Sequence, residues 1–360
     1  MTSPLLYYKD VTPAWVSGAL QKHWPGIEVR TVDAGPVFGF KKNKFAIAVS
    51  YGELPEGAIP PQRFIVKGNF PGENDPSTGS AWAMANELCS IRDIVPLTAA
   101  PAMPKSYDIA IDEEASSILM EDLTGQAHFF HAFDTLSLGQ AMAFMDTFAR
   151  MHASVWNSTL FAPGGEMGPG TFAAENRRMV NELYFPTFFA PDNWQKYVEL
   201  PRGRALPNAF QNLELAKRAW DAMWGLVSQS AMVVIHGDEH LGNLYVAADG
   251  TPGVIDWVAR PEHWPIGIAY FMLCALDIRD RRQWEKALLC HYLTKLKTYG
   301  AADVPAFDEA WFVYRCATFY PVVTWLNNSG VWQPEAINTA NAVRAATAAL
   351  DHDAMALLGV

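Results

Sequence analysis

The stretch Val233-Val-Ile-His-Gly-Asp-Glu-His-Leu-Gly-Asn-Leu-Tyr-Val246 decides how the rest of the chain is read. Its β-branched run, Val233, Val234 and Ile235, predicts a short strand. The strand ends in a glycine- and aspartate-containing turn that carries His236, Asp238, His240 and Asn243, after which strand character resumes at Leu244. A second short strand, Gly253-Val-Ile255, ends in Asp256-Trp257. A base, an amide and a second carboxylate are therefore expected at the ends of two paired strands. Phosphoryl transfer is chiefly positioning and charge neutralisation. It needs one carboxylate facing the attacking oxygen, plus hard oxygen donors that share a metal ion.

The surroundings bound what such a site serves. A chain of 360 residues exceeds one ordinary core, so two domains are expected. With 50% apolar and 18% charged residues it is globular in composition. A net charge of −11 argues against a nucleic-acid or anionic-membrane partner, whose affinity would come from excess Lys and Arg. Cys89, Cys274, Cys290 and Cys316 form no CxxC pair, which speaks for free thiols in a reducing compartment. Met1 to Asp10 shows no signal-peptide pattern, and the most apolar window, Ile266 to Leu276, is too short to span a bilayer. A cytoplasmic protein without a membrane span is expected; the oligomeric state is open.

Thr12-Pro13 opens a helix, with threonine as cap and proline at its first position. Strands are expected over Glu28–Val32, Lys44–Tyr51 and Arg63–Lys67; in the second, Phe45, Ile47 and Val49 alternate with small residues. The loop Gly68–Gly79 is rich in glycine and proline and is expected to be mobile. A helix over Ser80–Ile94 and strands over Ser106–Ile111 and Ser117–Met120 complete a β-rich part. From Asp122 onward helices dominate: Leu136–Trp156, Ala173–Leu183, Ala209–Val227, Ile266–Leu276, Arg282–Tyr299, Asp308–Trp325 and Pro334–Leu358. The expected fold class is α+β, a β-rich lobe over residues 1–121 and a helical lobe over 122–360.

His236-x-Asp238-x-x-x-x-Asn243 has the spacing of a kinase catalytic loop, in which the Asp orients the substrate hydroxyl and the Asn holds Mg²⁺. Together with Val254-Ile-Asp-Trp257 it resembles the signature of the aminoglycoside phosphotransferase and choline kinase-like superfamily. Phe148-Ala-Arg-Met-His152 and Arg282-Gln-Trp-Glu-Lys-Ala-Leu-Leu-Cys-His-Tyr292 bring it nearest the ecdysteroid-kinase-like branch. The resemblance runs from the N-terminal helix to about Gly300, and its specific part is the two motifs around Asp238 and Asp256.

The resemblance implies a bilobal protein-kinase-like fold and ATP- and Mg²⁺-dependent phosphorylation of a hydroxyl on a small molecule. It implies Asp238 as catalytic base, with His240 placed to contact the transferring phosphoryl group and Asn243 and Asp256 as metal ligands. On the nucleotide side it implies Lys67 at the α/β-phosphates and Glu87 as its partner. Gly35 and Gly39 would lie in the covering loop, and the hinge segment Leu119-Met-Glu-Asp-Leu123, with Glu121 at its centre, would present its backbone to adenine. No activation-loop or Ala-Pro-Glu pattern follows Asp256, so metabolites are expected rather than protein substrates. The aromatic wealth of the helical part, with Trp156, Trp194, Trp264, Trp325 and Trp332 as pocket candidates, favours an apolar alcohol over a polycation.

One departure stands out. The family carries an Asp just before its Leu-Ala-Tyr-Phe segment, where it hydrogen-bonds the catalytic-loop backbone; here Gly267 takes that place in Pro265-Ile-Gly-Ile-Ala-Tyr-Phe271. His263, Glu262 or a looser loop are the alternatives. Three plainer readings stay open at this point. Asp238, Asn243 and Asp256 could cap turns, and His236 could orient backbone only. His236, His240 and His263 with Asp238 could instead hold zinc or iron. A catalytically weak or inactive nucleotide- or ligand-binding protein would share the same motifs.

Overall fold

Thr12 caps the first helix as its sequence predicts: its hydroxyl accepts the Trp15 N–H, and α1 runs Pro13–Leu20. The computed structural model describes residues 2–75 and 80–360 and resolves two compact units, one of residues 1–92 with 103–127, the other of 93–102 with 128–360. The bilobal α+β class expected from the sequence is the one observed, with a β-rich N-terminal part and a helical C-terminal part.

In the first unit, β1 (Val29–Ala34), β2 (Lys44–Tyr51), β3 (Arg63–Gly68), β4 (Ser106–Ile111) and β5 (Ser116–Glu121) form an antiparallel sheet of order β1-β2-β3-β5-β4. Period-two alternation divides its residues between faces. Phe45, Ile47, Phe64, Val66 and Leu119 join Val16, Ala19 and Leu20 of α1 in one core. Ile118 and Met120 pack instead with Met84 and Leu88 of α2 (Ala81–Cys89). Lys67, one position after Val66, therefore points toward α2. The helix expected to reach Ile94 stays α-helical to Cys89 and continues as a π turn over Ser90–Ile94.

The loop Gly68–Gly79 is pinned at its start: Asn69 donates to the Glu114 carbonyl at 2.9 Å and accepts the Ser116 N–H at 2.7 Å. Residues 76–79 of that loop lie outside the described residues.

After β5 the chain continues through β6 (Ala127–Phe129) to α3 (Leu138–Ser154), the latter opened by a capping box of Ser137 and Gln140. Shorter helices follow, α4 (Phe172–Arg178), α5 (Phe185–Phe188), α6 (Pro191–Val198), α7 (Pro201–Arg204) and α8 (Asn208–Gln211), before α9 (Leu213–Val227). The single helix expected over Ala209–Val227 is broken at Asn212, whose side chain caps α9 by accepting the Leu215 N–H.

Next come the strands β7 (Met232–Ile235), β8 (Leu244–Ala247), β9 (Pro252–Val254) and β10 (Arg260–His263). β7 pairs with β10 and β8 with β9, both antiparallel. Then α10 (Trp264–Ala275), α11 (Ile278–Thr298), α12 (Phe307–Ala317), α13 (Phe319–Asn327), α14 (Glu335–Asp351) and α15 (Ala354–Leu357) fill the rest. Every residue of α10 is buried, which explains its uniformly apolar sequence: it is a central core helix. Among the described residues no helix is long and apolar enough to cross a membrane.

Candidate active site

The chain leaves β7 at Ile235 and turns at Gly237, whose φ of +92° is in the region that favours glycine. A Cβ there would lie 2.3 Å from the Val258 carbonyl oxygen, so the turn needs glycine twice over. The loop that follows satisfies its backbone internally. Asp238 N–H donates to His236 Nδ1 at 3.2 Å, and Gly242 N–H to His240 Nδ1 at 3.1 Å. Gly237 N–H donates to Glu239 Oε1 at 3.1 Å, and Asn243 N–H to the His240 carbonyl at 3.0 Å.

Three further bonds fasten this loop to the segment after β9: Ile255 N–H to the Asn243 carbonyl, Val258 N–H to the His236 carbonyl, and His236 Nε2 to the Ile255 carbonyl, each 3.0 Å. Asn243 directly precedes β8, and Asp256 follows β9, so both lie at the same end of one hairpin. Asp256 adopts φ +60°, a left-handed conformation that aspartate tolerates better than most residues.

Asp238 sits at the centre, its side chain 33% exposed. Tyr270 Oη of α10 donates to Oδ1 at 2.9 Å, Asn243 Nδ2 donates to Oδ2 at 2.9 Å, and His240 Nε2 lies 3.5 Å from Oδ2. Burial works against the charged carboxylate, but the histidines and the Tyr270 hydroxyl outweigh it and hold the Asp238 pKa below the ordinary value. The carboxylate is thus ionised at neutral pH and retains an exposed edge.

His240 is itself buried, with its ring edge against Trp325 at 5.5 Å. Burial lowers its pKa and the Asp238 charge raises it, with a net rise. Since Nδ1 receives an N–H, the ring's proton sits on Nε2, facing Asp238. His236 is buried too, its ring centroid 4.6 Å from that of Trp257 at a tilt of 47°, and burial drives its pKa down to about 4. Its two nitrogens hold backbone of both loops together, which is the orienting reading of this residue.

Glu239 is 2% exposed, and its pKa is raised by burial to about 7, against the pull of the Gly237 and Glu239 N–H groups and of Arg260. The alternatives weighed for the loop's tether lie elsewhere. Glu262 accepts from Asn181 Nδ2 at 2.7 Å and Arg177 at 3.3 Å, and His263 Nδ1 meets the Ser230 carbonyl at 2.7 Å.

A metal ion at this loop can be tested against its donors. Asn243 spends Nδ2 on Asp238, which leaves its Oδ1 as the ligating atom, and Asp256 offers a carboxylate. Two hard oxygen donors fit Mg²⁺, which keeps the rest of its shell for water and phosphate. They do not fit zinc or iron. Among the described residues no group of three or more His, Cys, Asp or Glu side chains could hold a metal ion, and the three histidines weighed for that role are engaged with backbone.

In the first unit, Lys67 Nζ lies 2.7 Å from both Glu87 oxygens, with side chains 6% and 12% exposed. Gly35 donates its N–H to the Ala46 carbonyl at 2.9 Å, and Gly39 turns with φ +89° against the Lys44 side chain. Glu121 ends β5 with its N–H spent on the Lys105 carbonyl, so its own amide is not available to a ligand. Of the tryptophans considered for a pocket, Trp194, Trp264 and Trp325 are core residues. Sequence reasoning assigned no role to Tyr270 or Glu239. The signal for the first was a lone hydroxyl in an apolar helix, and for the second a glycine inside the same helix with no evident reason for it.

Residues 95–259 match the model of the phosphotransferase enzyme family, a segment that includes Asp238, Asn243 and Asp256 but not Lys67 or Glu87. The similarity to that family extends over 165 of the chain's 360 residues. Among solved structures, the choline kinase of Cryptosporidium parvum Iowa II superposes with a TM-score of 0.55 at 10% identity, over 95% of this chain and 94% of that one. It shares the protein-kinase-like fold. A putative fructosamine-3-kinase from Thermobifida fusca gives 0.48 at 17% identity (92% and 98% covered), and a choline kinase from Streptococcus pneumoniae 0.48 at 14% (93% and 98%). No curated protein matches the chain.

Proposed function

We propose that this phosphotransferase-like chain transfers the γ-phosphoryl group of ATP to a hydroxyl of a small-molecule substrate, with Mg²⁺. The observation that carries the reading is the Asp238 carboxylate, ionised and fixed by Tyr270, Asn243 and His240 while keeping an exposed edge. That edge accepts the substrate's O–H and aims its oxygen at the γ-phosphorus. As the new P–O bond forms, the bond to the β-phosphate oxygen breaks, ADP leaves, and the hydroxyl proton passes to the carboxylate. A strong base is not required, since the hydroxyl loses its proton late in a loose transition state.

Asn243 Oδ1 and the Asp256 carboxylate would hold Mg²⁺, which when bound neutralises charge on the phosphate oxygens. Lys67, held bidentately by Glu87, is the counter-charge we assign to the α/β-phosphates. His240 orients Asp238 through Nε2; its burial supports that role ahead of direct contact with phosphate.

We place the chain nearest the ecdysteroid-kinase-like branch. The two segments that carry that likeness meet in the core, where Tyr292 Oη and His152 Nδ1 share a hydrogen bond of 2.7 Å. An apolar alcohol is the acceptor class we favour. The test is transfer of labelled phosphate from ATP into a metabolite extract, with Asp238→Asn as control. Labelling of one species by wild type alone is expected; equal labelling by both proteins removes Asp238 from the chemistry.

A further inference from the structure

Gly267 lies in the middle of α10, where glycine costs about 1 kcal/mol relative to alanine and needs a reason. Its φ is ordinary, so the reason is space. A Cβ on residue 267 would lie 2.9 Å from Ile235 Cγ2 and 3.1 Å from Glu239 Oε1. The Glu239 oxygen that occupies this position is the one that accepts the Gly237 N–H. A carboxylate thus reaches the backbone of the turn just before Asp238, but it comes from within the loop and not from the helix that lies against it.

We propose that Glu239 is the positioning residue of the catalytic loop, its carboxylate seated in the space left by Gly267 and holding the Gly237 N–H so that Asp238 is presented correctly. The inference rests on the phosphotransfer reading for its consequence in turnover, but its geometry stands without it. A buried N–H at this turn must find a partner. Gly237 cannot gain one by moving, because Val258 and Arg260 crowd the site of its missing side chain at 2.3 and 2.7 Å. Glu239 also supplies counter-charge to Arg260, which is buried and donates to Tyr320 Oη at 3.0 Å. Residues 239 and 267 therefore act as a reciprocal pair: a carboxylate at one requires the other to be small.

The pair is tested by exchanging its members. Glu239→Leu, Gly267→Ala, Gly267→Asp and the double variant Glu239→Leu/Gly267→Asp are compared with wild type. Amide hydrogen exchange at Gly237 and Asp238 and steady-state hydrolysis of ATP–Mg²⁺ are measured on each. Glu239→Leu is expected to speed Gly237 exchange about tenfold and to lower kcat about tenfold, with KM for ATP unchanged, the size of one lost charge-assisted hydrogen bond. Gly267→Ala, which displaces the carboxylate without removing it, should also speed that exchange, and it serves where Glu239→Leu fails to fold.

The double variant, with the carboxylate supplied from α10, should return exchange and kcat toward wild type, a rescue that lost packing alone cannot produce. Unchanged Gly237 exchange in Glu239→Leu and Gly267→Ala, or a double variant no better than its parents, overturns the proposal. Absence of hydrolysis in wild type bears on the phosphotransfer reading alone, since the exchange measurement still decides the role of Glu239.

Discussion

Breaking the Lys67–Glu87 pair tests the nucleotide role proposed for Lys67. Glu87→Leu leaves a lysine whose side chain is 6% exposed without its 2.7 Å partner. Removing one member of a buried pair costs about 3–5 kcal/mol, and the 12% exposure of Glu87 places this loss near 3 kcal/mol. Lys67→Met leaves the more exposed of the two charges and should cost less than that range, about 2 kcal/mol.

The double variant removes both charges beside the apolar side chains of Met84, Leu88 and Ile118, so it should lose no more than about 2 kcal/mol. The coupling is then about 3 kcal/mol. Amide exchange of β2 and β3 in rising urea reads the first unit by itself, since two units need not unfold together. Stability and function should separate. ATP–Mg²⁺ at about 100 times its Kd should stabilise wild type by about 2.7 kcal/mol and none of the three variants. Additive losses in the double variant, or full nucleotide stabilisation in it, refute the assigned role.

Three further outcomes are expected. Asp238→Asn should lower phosphate transfer by about 10²–10⁴-fold while amide exchange of α10 stays as in wild type. Gly237→Ala, forced to φ +92° and against the Val258 carbonyl, should destabilise the second unit by more than about 2 kcal/mol in urea titrations. Stability of the second unit should fall as pH drops from about 6.5 toward 4. His152 and His236 are buried with pKa values lowered to about 3 and about 4, so between those values and the ordinary 6.5 the unfolded chain binds more protons than the folded one. Urea midpoints that stay level across pH 4–6.5 would count against both placements.

Much of this fold could be read in advance because its signals are local. β2 was expected over Lys44–Tyr51 and is found there, since strict alternation fixes a half-buried strand. Helix continuity was harder to read. The stretch Asp308–Trp325 divides at Thr318, and Pro334–Leu358 at His352-Asp353, where Asp353 has φ +50°. The first break is set by Pro321, which has no N–H to offer the Ala317 carbonyl four residues before it; the second carries neither glycine nor proline. The spacing of Asp238, Asn243 and Asp256 was legible because the three lie within one strand-loop-strand segment. The role of Glu239 was not, because a charged loop residue reads as solvated, and only the space at Gly267, brought near by folding, shows otherwise.

The left-handed backbone of Asp256 narrows what can stand there independently of any metal. A carboxylate could be supplied equally by glutamate if chemistry were the sole demand. Short polar side chains reach that conformation at low cost by bonding to nearby backbone, and longer or β-branched ones do not. With the metal role proposed for Asp256, conformation and negative charge both favour aspartate at this position. Asparagine keeps the conformation and a neutral oxygen donor but loses the charge, while glutamate keeps the charge and loses the conformation. Substitution of Asp256 by each in turn would separate the loop's shape from its charge, a distinction that alanine, which removes both, leaves merged.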